Sequence, residues 1–523
     1  MLVRRRSWSL CVASFVSLLC TSSADTLRAD VKLPPFFSDH MVLQRDGKAP
    51  IWGTAAVGEK VTVKFRGEQS QVEPDNAGNW RVELSGLKAG GPDELTIVGK
   101  NTIVLKDVLV GEVWVGSGQS NMAGTVGTTM NGYAKDDPVL AAMAAKDYPQ
   151  IRGCNARGAW SVAEAKSNPR FSALLFSIAV RLHEELDVPV GMMLGAVGGT
   201  PSGAWLSEAA LAADAPTQKL MAAYVGEYPA LLKKYEEVDL PRYTAAIEKQ
   251  KAEGKPAGRV PPPPSKPGMV RDQKPGYLYE QHIRPLVGYG IRGALWDQGE
   301  AGTAVGGVDQ YTLMGALIKG WRKEWNQGDF TFVYVQKPSG NGCAWDYENP
   351  VTNQAQPFTN LPAAVPVDGL YVETHVKIMN YPNTGMAISS DLGPYTHPTN
   401  KSGYGSRSAQ VALGMAYGKP VEYYGPVYNS HAIDGDKVTI TFTHLGTGLA
   451  TKHGTKLQGF AIAGDDKKFV WAEAKIDGDK VVLSSPTVKE PKAVRYAWSQ
   501  NRTWANLFNK DGLPAVTFRT DSW

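Results

Sequence analysis

The chain has 523 residues, more than one ordinary hydrophobic core accommodates, so two or three domains are expected. With 43% hydrophobic and only 20% charged residues it is a folded globular protein, not a disordered one. Its formal charge of +4 falls close to zero once residues 1–24, which carry three arginines and no acid, are set aside. A near-neutral surface of this kind argues against nucleic acid or an anionic membrane as the main partner.

In chain order, "MLVRRRSWSLCVASFVSLLCTSSA" (1–24) has a basic start, an apolar run and small residues at its end. That pattern predicts a secretory signal peptide and a secreted or periplasmic protein. The apolar run is too short to span a membrane, and no later segment is long and apolar enough, so no membrane insertion is expected. A lipoprotein reading of Cys20 would need a small residue where Leu19 stands. Beyond this segment only Cys154 and Cys343 remain, enough for one disulfide in an oxidising compartment but not for a disulfide scaffold.

From 30 to 105, "KVTVKF", "NWRVEL" and "ELTIVG" alternate apolar and polar residues around the turn "DNAGN", which predicts a small antiparallel β-sandwich. Between 106 and 425 strands alternate with helices. "SALLFSIAVRLHEEL" (172–186) has helical periodicity and leads to the apolar "VGMMLGAVGG"; "GIRGALW" (290–296) and "FTFVYVQ" (330–336) read as strands around the helix "YTLMGALIKGWRKEW" (311–325). This order predicts an α/β fold with a mostly parallel sheet and helices on both faces. Residues 207–275, rich in Ala, Lys and Glu and ending in "PPPPSKPG", read as a helical, proline-ended insertion. From 426 to 523 the hairpin signals "DGDKVTITF" and "DGDKVVL" announce a second β domain.

Four stretches carry chemistry. "VWVGSGQSNMAG" (113–124) ends an apolar strand with Ser120. A serine there commonly caps the next helix, but a strand-to-helix turn is also where a nucleophile's own N–H can help bind an oxyanion. The stretch is not G-x-S-x-G, since Met122 replaces the last glycine, which argues against an α/β-hydrolase elbow. "GAVGGTPSGAW" (195–205) and "WDQGEAGT" (296–303) also follow strands, and each alone is more often a turn than a site. "SSDLGPYTHPTNKSGYGSR" (389–407) places a histidine before a helix, although most isolated histidines are structural. Strand ends share one edge of an open parallel sheet, where ligand crevices form. A hydroxyl, an imidazole, glycine amides and a side-chain amide are together what acyl transfer needs.

On "FFSDHMVLQRDGKAPIWG", "GEVWVGSGQSNM", "GGTPSGAW", "ALWDQGE", "PNTGMAISSDLG", "HPTNK" and "VRYAWSQN…NLFNKDGLPAVTFRTD", in this order over nearly the whole chain, the sequence resembles the sialate O-acetylesterase branch of the SGNH hydrolases. The resemblance implies an SGNH-type, flavodoxin-like sheet between the two β segments. It also implies a carbohydrate O-acetylesterase with Ser120 as nucleophile and His397 as general base, and an oxyanion hole built from Ser120, Gly198 or Gly199, and Gln298. Asn121, Trp205 and Glu300 are the expected substrate contacts. Sialic acid is the substrate the family suggests; acetylated xylan or pectin fragments are alternatives.

Two departures stand out. Superfamily members commonly carry an acid two or three residues before the histidine, where this chain has Tyr395 and Pro394; Asp297 stands where relatives have an aromatic residue. The acid expected to orient His397 is therefore Asp391, with Glu300 as the alternative and a backbone carbonyl as a third possibility. Without that nearby acid, a glycan-binding protein on a degenerate esterase scaffold is the rival reading. Retention of serine, histidine, glycines and glutamine together disfavours it. No H-E-x-x-H, C-x-x-C or phosphate loop is present, so neither metal nor cofactor is expected.

Overall fold

A computed structural model of the protein describes residues 30–132, 137–256, 258–393 and 396–523. The signal-peptide expectation for residues 1–24 lies outside the described residues.

The centre of the molecule is a sheet whose strands run, in spatial order, Thr384–Ala387, Thr331–Val335, Gly293–Asp297, Thr102–Gly118, Val190–Ala196 and Tyr148–Asn155, with Ser161–Ala163 on the edge. All neighbours are parallel except the last pair. Without the 148–163 edge, the remaining five strands follow the order 2-1-3-4-5 of flavodoxin-like sheets. The chain first moves outward from the 102–118 strand in one direction and later in the other. Right-handed crossovers therefore lay helices on opposite faces.

The helices end where their sequences dictate. Ser172 accepts a bond from the Leu175 amide at the start of Ala173–Leu186, and Asp187 closes it in the left-handed conformation. Asp309 and Asn326 do the same for Gln310–Trp325. The 173–186 helix packs beside Lys401–Tyr417, whereas Gln310–Trp325 packs beside Glu208–Ala213 and Leu370–Lys377.

Strand Thr102–Gly118 is 17 residues long and belongs to two structures at once. Its first half pairs antiparallel with Gly90–Val98 and its second half forms the middle of the parallel sheet. The boundary expected at 105/106 thus falls inside one continuous strand, and the N-terminal β segment shares a single core with the α/β part. Glu112 is buried in the middle of that strand. Gln44, Arg45 and Arg292 all donate to its carboxylate, which compensates the cost of burying a charge.

The C-terminal segment is built from separate antiparallel sheets around its own core, including Val438, Ile440, Phe460, Val494 and Phe518. Its two sequence-predicted hairpins turn at Gly435 and Gly478, both with positive φ. The 207–275 stretch contains the helices Ala215–Lys234 and Leu240–Ala252, continuous through a π turn at Tyr235–Asp239. Cys154 and Cys343 are both free thiols, and the Cys343 Sγ–H donates to the Ala505 carbonyl.

Candidate active site

The middle strand of a doubly wound sheet ends at the point where the connections diverge, so its C-terminal end opens on a crevice. Here that end is Gly118. Its φ of +126° and the Asp297 carbonyl oxygen, 2.1 Å from where a Cβ would lie, both require glycine. The turn is held by the Gln119 amide donating to Asp297 O. Ser120 then opens a one-turn helix, Ser120–Ala123, so its N–H has no acceptor within that helix. Gly198, just past the 190–196 strand, passes alongside: a Cβ there would lie 3.6 Å from the Ser120 Cβ.

From the other side of the sheet edge, the loop before Lys401–Tyr417 brings in His397, whose Nε2 lies 2.8 Å from Ser120 Oγ. Two devices hold this loop. Asn400 caps the helix by accepting from the Gly403 amide while its Nδ2 donates to the carbonyls of Pro350 and Val351. Asn121, the residue after the serine, donates to the carbonyl of Thr396, the residue before the histidine, at 3.0 Å. Lys401 in turn donates from Nζ to Asn121 Oδ1 at 2.6 Å. The serine turn and the histidine loop are thereby linked through one amide.

Electrostatics favour a neutral imidazole. Partial burial, then the Lys401 charge, pushes His397 below its ordinary value, against an upward pull from Glu300 and Asp297. Lys401 is fully buried, and burial lowers it to about 7 despite the nearby carboxylates of Asp297, Glu300 and Asp137. Beneath the site lies a buried cluster in which Lys337 Nζ reaches Asp297 at 2.7 Å and Glu300 at 2.8 Å. Gln119 also donates to Glu300. Burial opposes the charge on each member. At Lys337 the two carboxylates outweigh it and push the ammonium up, and at Glu300 Lys337 outweighs it and keeps the carboxylate below its usual range. Among the described residues no group of three or more His, Cys, Asp or Glu side chains is arranged to hold a metal ion.

Of the expected site residues, Ser120, His397, Gly198 and Glu300 come together at this edge. Gly199 adjoins them with φ +72°, its carbonyl accepting from Arg271. Four expectations need correction. The Gln298 side chain is engaged within the fold: its Nε2 donates to Gly302 O at 3.0 Å and its Oε1 accepts from Gln310, so the amide braces two loops. Trp205 is 0% exposed and packs against Trp296, its indole N–H donating to Thr200, which makes it core and not a substrate contact. Asn121 is likewise buried with both ends of its amide engaged. Asp391 is buried too, its carboxylate accepting from Arg407 Nη2 at 2.6 Å; among the described residues, Glu300 and Asp297 carry carboxylate charge that bears on His397.

Lys401, Lys337 and Gln119 were missed by sequence reasoning. Lys337 had a usable signal, since it stands two residues past the end of Thr331–Val335, at the same sheet edge as the other pieces. For Lys401 there was none: a lysine at the first position of a helix normally faces solvent.

No family model matches the chain. Curated relatives include the sialate O-acetylesterase of Rattus norvegicus, 27% identical over 439 residues and covering 75% of each chain. That of Homo sapiens is 25% identical over 517 residues, covering 90% of this chain and 87% of the relative. Among solved structures, a carbohydrate acetylesterase from Xanthomonas citri is 31% identical, covers 94% of this chain and 100% of its own, and superposes with a TM-score of 0.72.

Proposed function

The chain belongs to the sialate O-acetylesterase family of carbohydrate esterases, and from that premise we propose that it hydrolyses acetyl esters on sugars by a Ser–His acyl-enzyme mechanism on an SGNH-type sheet. The observation that carries the mechanism is the 2.8 Å contact between Ser120 Oγ and His397 Nε2 at the end of the central strand. Neutral His397 accepts the hydroxyl proton as Ser120 Oγ bonds to the acetyl carbonyl carbon. The negative charge that develops on the carbonyl oxygen is met by the N–H groups of Ser120 and of the Gly198–Gly199 turn. The tetrahedral intermediate collapses, the C–O bond to the sugar breaks, and the sugar oxygen leaves with the proton from His397. Water, deprotonated by the same imidazole, then releases acetate and restores the serine.

Glu300 and Asp297 stabilise the imidazolium formed in between, at a distance, since Lys337 already occupies both carboxylates. The charged start and apolar run of residues 1–24 support a secreted or periplasmic location.

Labelling with a fluorophosphonate tests this reading. The adduct belongs on half-buried Ser120, and an adduct on fully buried Ser117 would overturn the assignment. Ser120→Ala should lower kcat by roughly a million-fold, the scale for losing a catalytic serine.

A further inference from the structure

Beside the catalytic pair lies a cavity of about 630 Å³. An acetyl group needs far less room; this is the size range that encloses a whole small-molecule ligand. Two lining residues tie the cavity to the chemistry. Thr396 directly precedes His397, and Glu300 accepts a hydrogen bond from Gln119, directly before Ser120.

The far walls come from three loops remote in sequence, represented by Asn341, Thr359 and the pair Asn501 and Thr503. The last pair belongs to the C-terminal β segment. Its backbone is knitted to the other walls: the Arg502 amide donates to Asn341 O at 2.8 Å, and the Thr359 amide donates to Thr503 O at 3.3 Å. The hydroxyls of Thr359 and Thr503 lie 2.8 Å apart. The C-terminal segment therefore completes the cavity instead of merely flanking it.

The chemistry of the lining is narrow. Among the described residues it offers hydroxyls, side-chain amides and two prolines, but no Lys, Arg or His. The one charged group among those described residues is the Glu300 carboxylate, which Lys337 already pairs at 2.8 Å. Arg502 stands between Asn501 and Thr503, yet its guanidinium turns inward to the carbonyls of Ser499 and Gln500, with its charge set against buried Asp391. A sugar carrying a carboxylate would meet no cation to pair with among these described residues. A neutral sugar would meet donors and acceptors for its hydroxyls.

We propose that this cavity seats the sugar part of the substrate, that it selects neutral O-acetylated oligosaccharides over carboxylate-bearing sugars, and that the 501–503 loop is its specificity wall. The proposal rests on the esterase reading above and deepens it. Arg271, exposed and donating to Gly199 O, offers a carboxylate-bearing substrate a cation outside this cavity lining.

The test compares three substrates on the full chain: 4-nitrophenyl acetate, an acetylated xylo-oligosaccharide and 9-O-acetyl-N-acetylneuraminic acid. The wild type should show a kcat/KM at least about tenfold higher for the oligosaccharide than for the sialate, the scale of one or two lost or repelled polar contacts. Asn501→Ala and Gln356→Ala should each raise the oligosaccharide KM by roughly fivefold, the scale of one hydrogen bond. Both should leave 4-nitrophenyl acetate hydrolysis within about twofold, which also reports that the variants are folded. Gln356 serves as the second variant because, among the described residues, only its backbone carbonyl is engaged, accepting from Tyr347. A preference for the sialate that disappears in Arg271→Ala would overturn the proposal. So would an unchanged oligosaccharide KM in both variants. Absence of 4-nitrophenyl acetate hydrolysis by the wild type would instead refute the esterase reading itself.

Discussion

Replacing Lys401 by methionine should make the protein more stable below neutral pH and a poorer enzyme. Lys401 is the first residue of its helix, where the macrodipole opposes a positive charge, and it is fully buried. Asp297, Glu300 and Asp137 attract its ammonium, Lys337 repels it, and the Tyr404 ring lies 5.5 Å away; the balance leaves it at about 7. In the unfolded chain it returns to the ordinary lysine value of 10.5. Between these two values the unfolded state binds more protons, so stability rises with pH across that window and the penalty is complete below about 7. At about 1.4 kcal/mol per tenfold in proton affinity, the buried ammonium costs the fold about 5 kcal/mol there. Methionine removes that cost but leaves Asn121 Oδ1 without its donor, a penalty of about 1–3 kcal/mol. The variant should therefore be about 2–4 kcal/mol more stable than wild type at pH 6 and less stable at pH 10. Urea unfolding at pH 6, 8 and 10 measures this difference directly. A wild-type-minus-variant gap that stays the same at all three would refute the reasoning. Because Lys401 steadies the amide that links the serine turn to the histidine loop, kcat on a small ester should fall by roughly ten- to a hundredfold with little change in KM.

The pH profile gives a second test. In the proposed mechanism His397 acts as the neutral imidazole, and it lies below its ordinary 6.5, so kcat/KM should rise with pH through a point under 6.5 and be flat at neutrality. Removing the Lys401 charge should move this acid limb to higher pH, and Glu300→Gln should move it lower; a limb above 7 in the wild type would contradict the site's electrostatics. The two candidate acids separate in kcat and stability. Glu300→Gln should lower kcat by roughly 10²–10³, the scale of one preorganised electrostatic contribution. Asp391→Asn should keep kcat within about threefold. It should also destabilise the fold by about 3–5 kcal/mol, because it leaves the buried Arg407 guanidinium without its carboxylate. The opposite pattern would return Asp391 to the role the sequence suggested.

Local physics made much of the fold legible in the chain itself. The period-2 alternation of "NWRVEL" appears as Asn79–Ser85, and the 3.6-residue period of "SALLFSIAVRLHEEL" as Ala173–Leu186 with Ser172 as its cap. Apolar runs ending in glycine marked the strand ends, and strand ends in a parallel sheet share one edge. That was enough to single out the stretches holding Ser120, Gly198 and Glu300, while the roles of Ser120, Gly198 and His397 follow from the family resemblance. What the chain could not disclose is partner choice. Ser120 and His397 are separated by 277 residues, and nothing local to "WDQGE" reveals that Gln298 is needed to brace the Gly302 loop or that Asp297 faces Lys337. Asp391 looked available in "SSDLGPYTH" until the following helix brought Arg407 against it. The 102–118 strand likewise joins two sheets that composition separates, and the 501–503 loop reaches a cavity that its sequence position gives no reason to expect. Periodicity and turn chemistry are properties of neighbouring residues, so sequence determines them. Which polar group satisfies which is set by burial, where every donor and charge must find a compensating partner across the whole fold, and only the tertiary structure decides that.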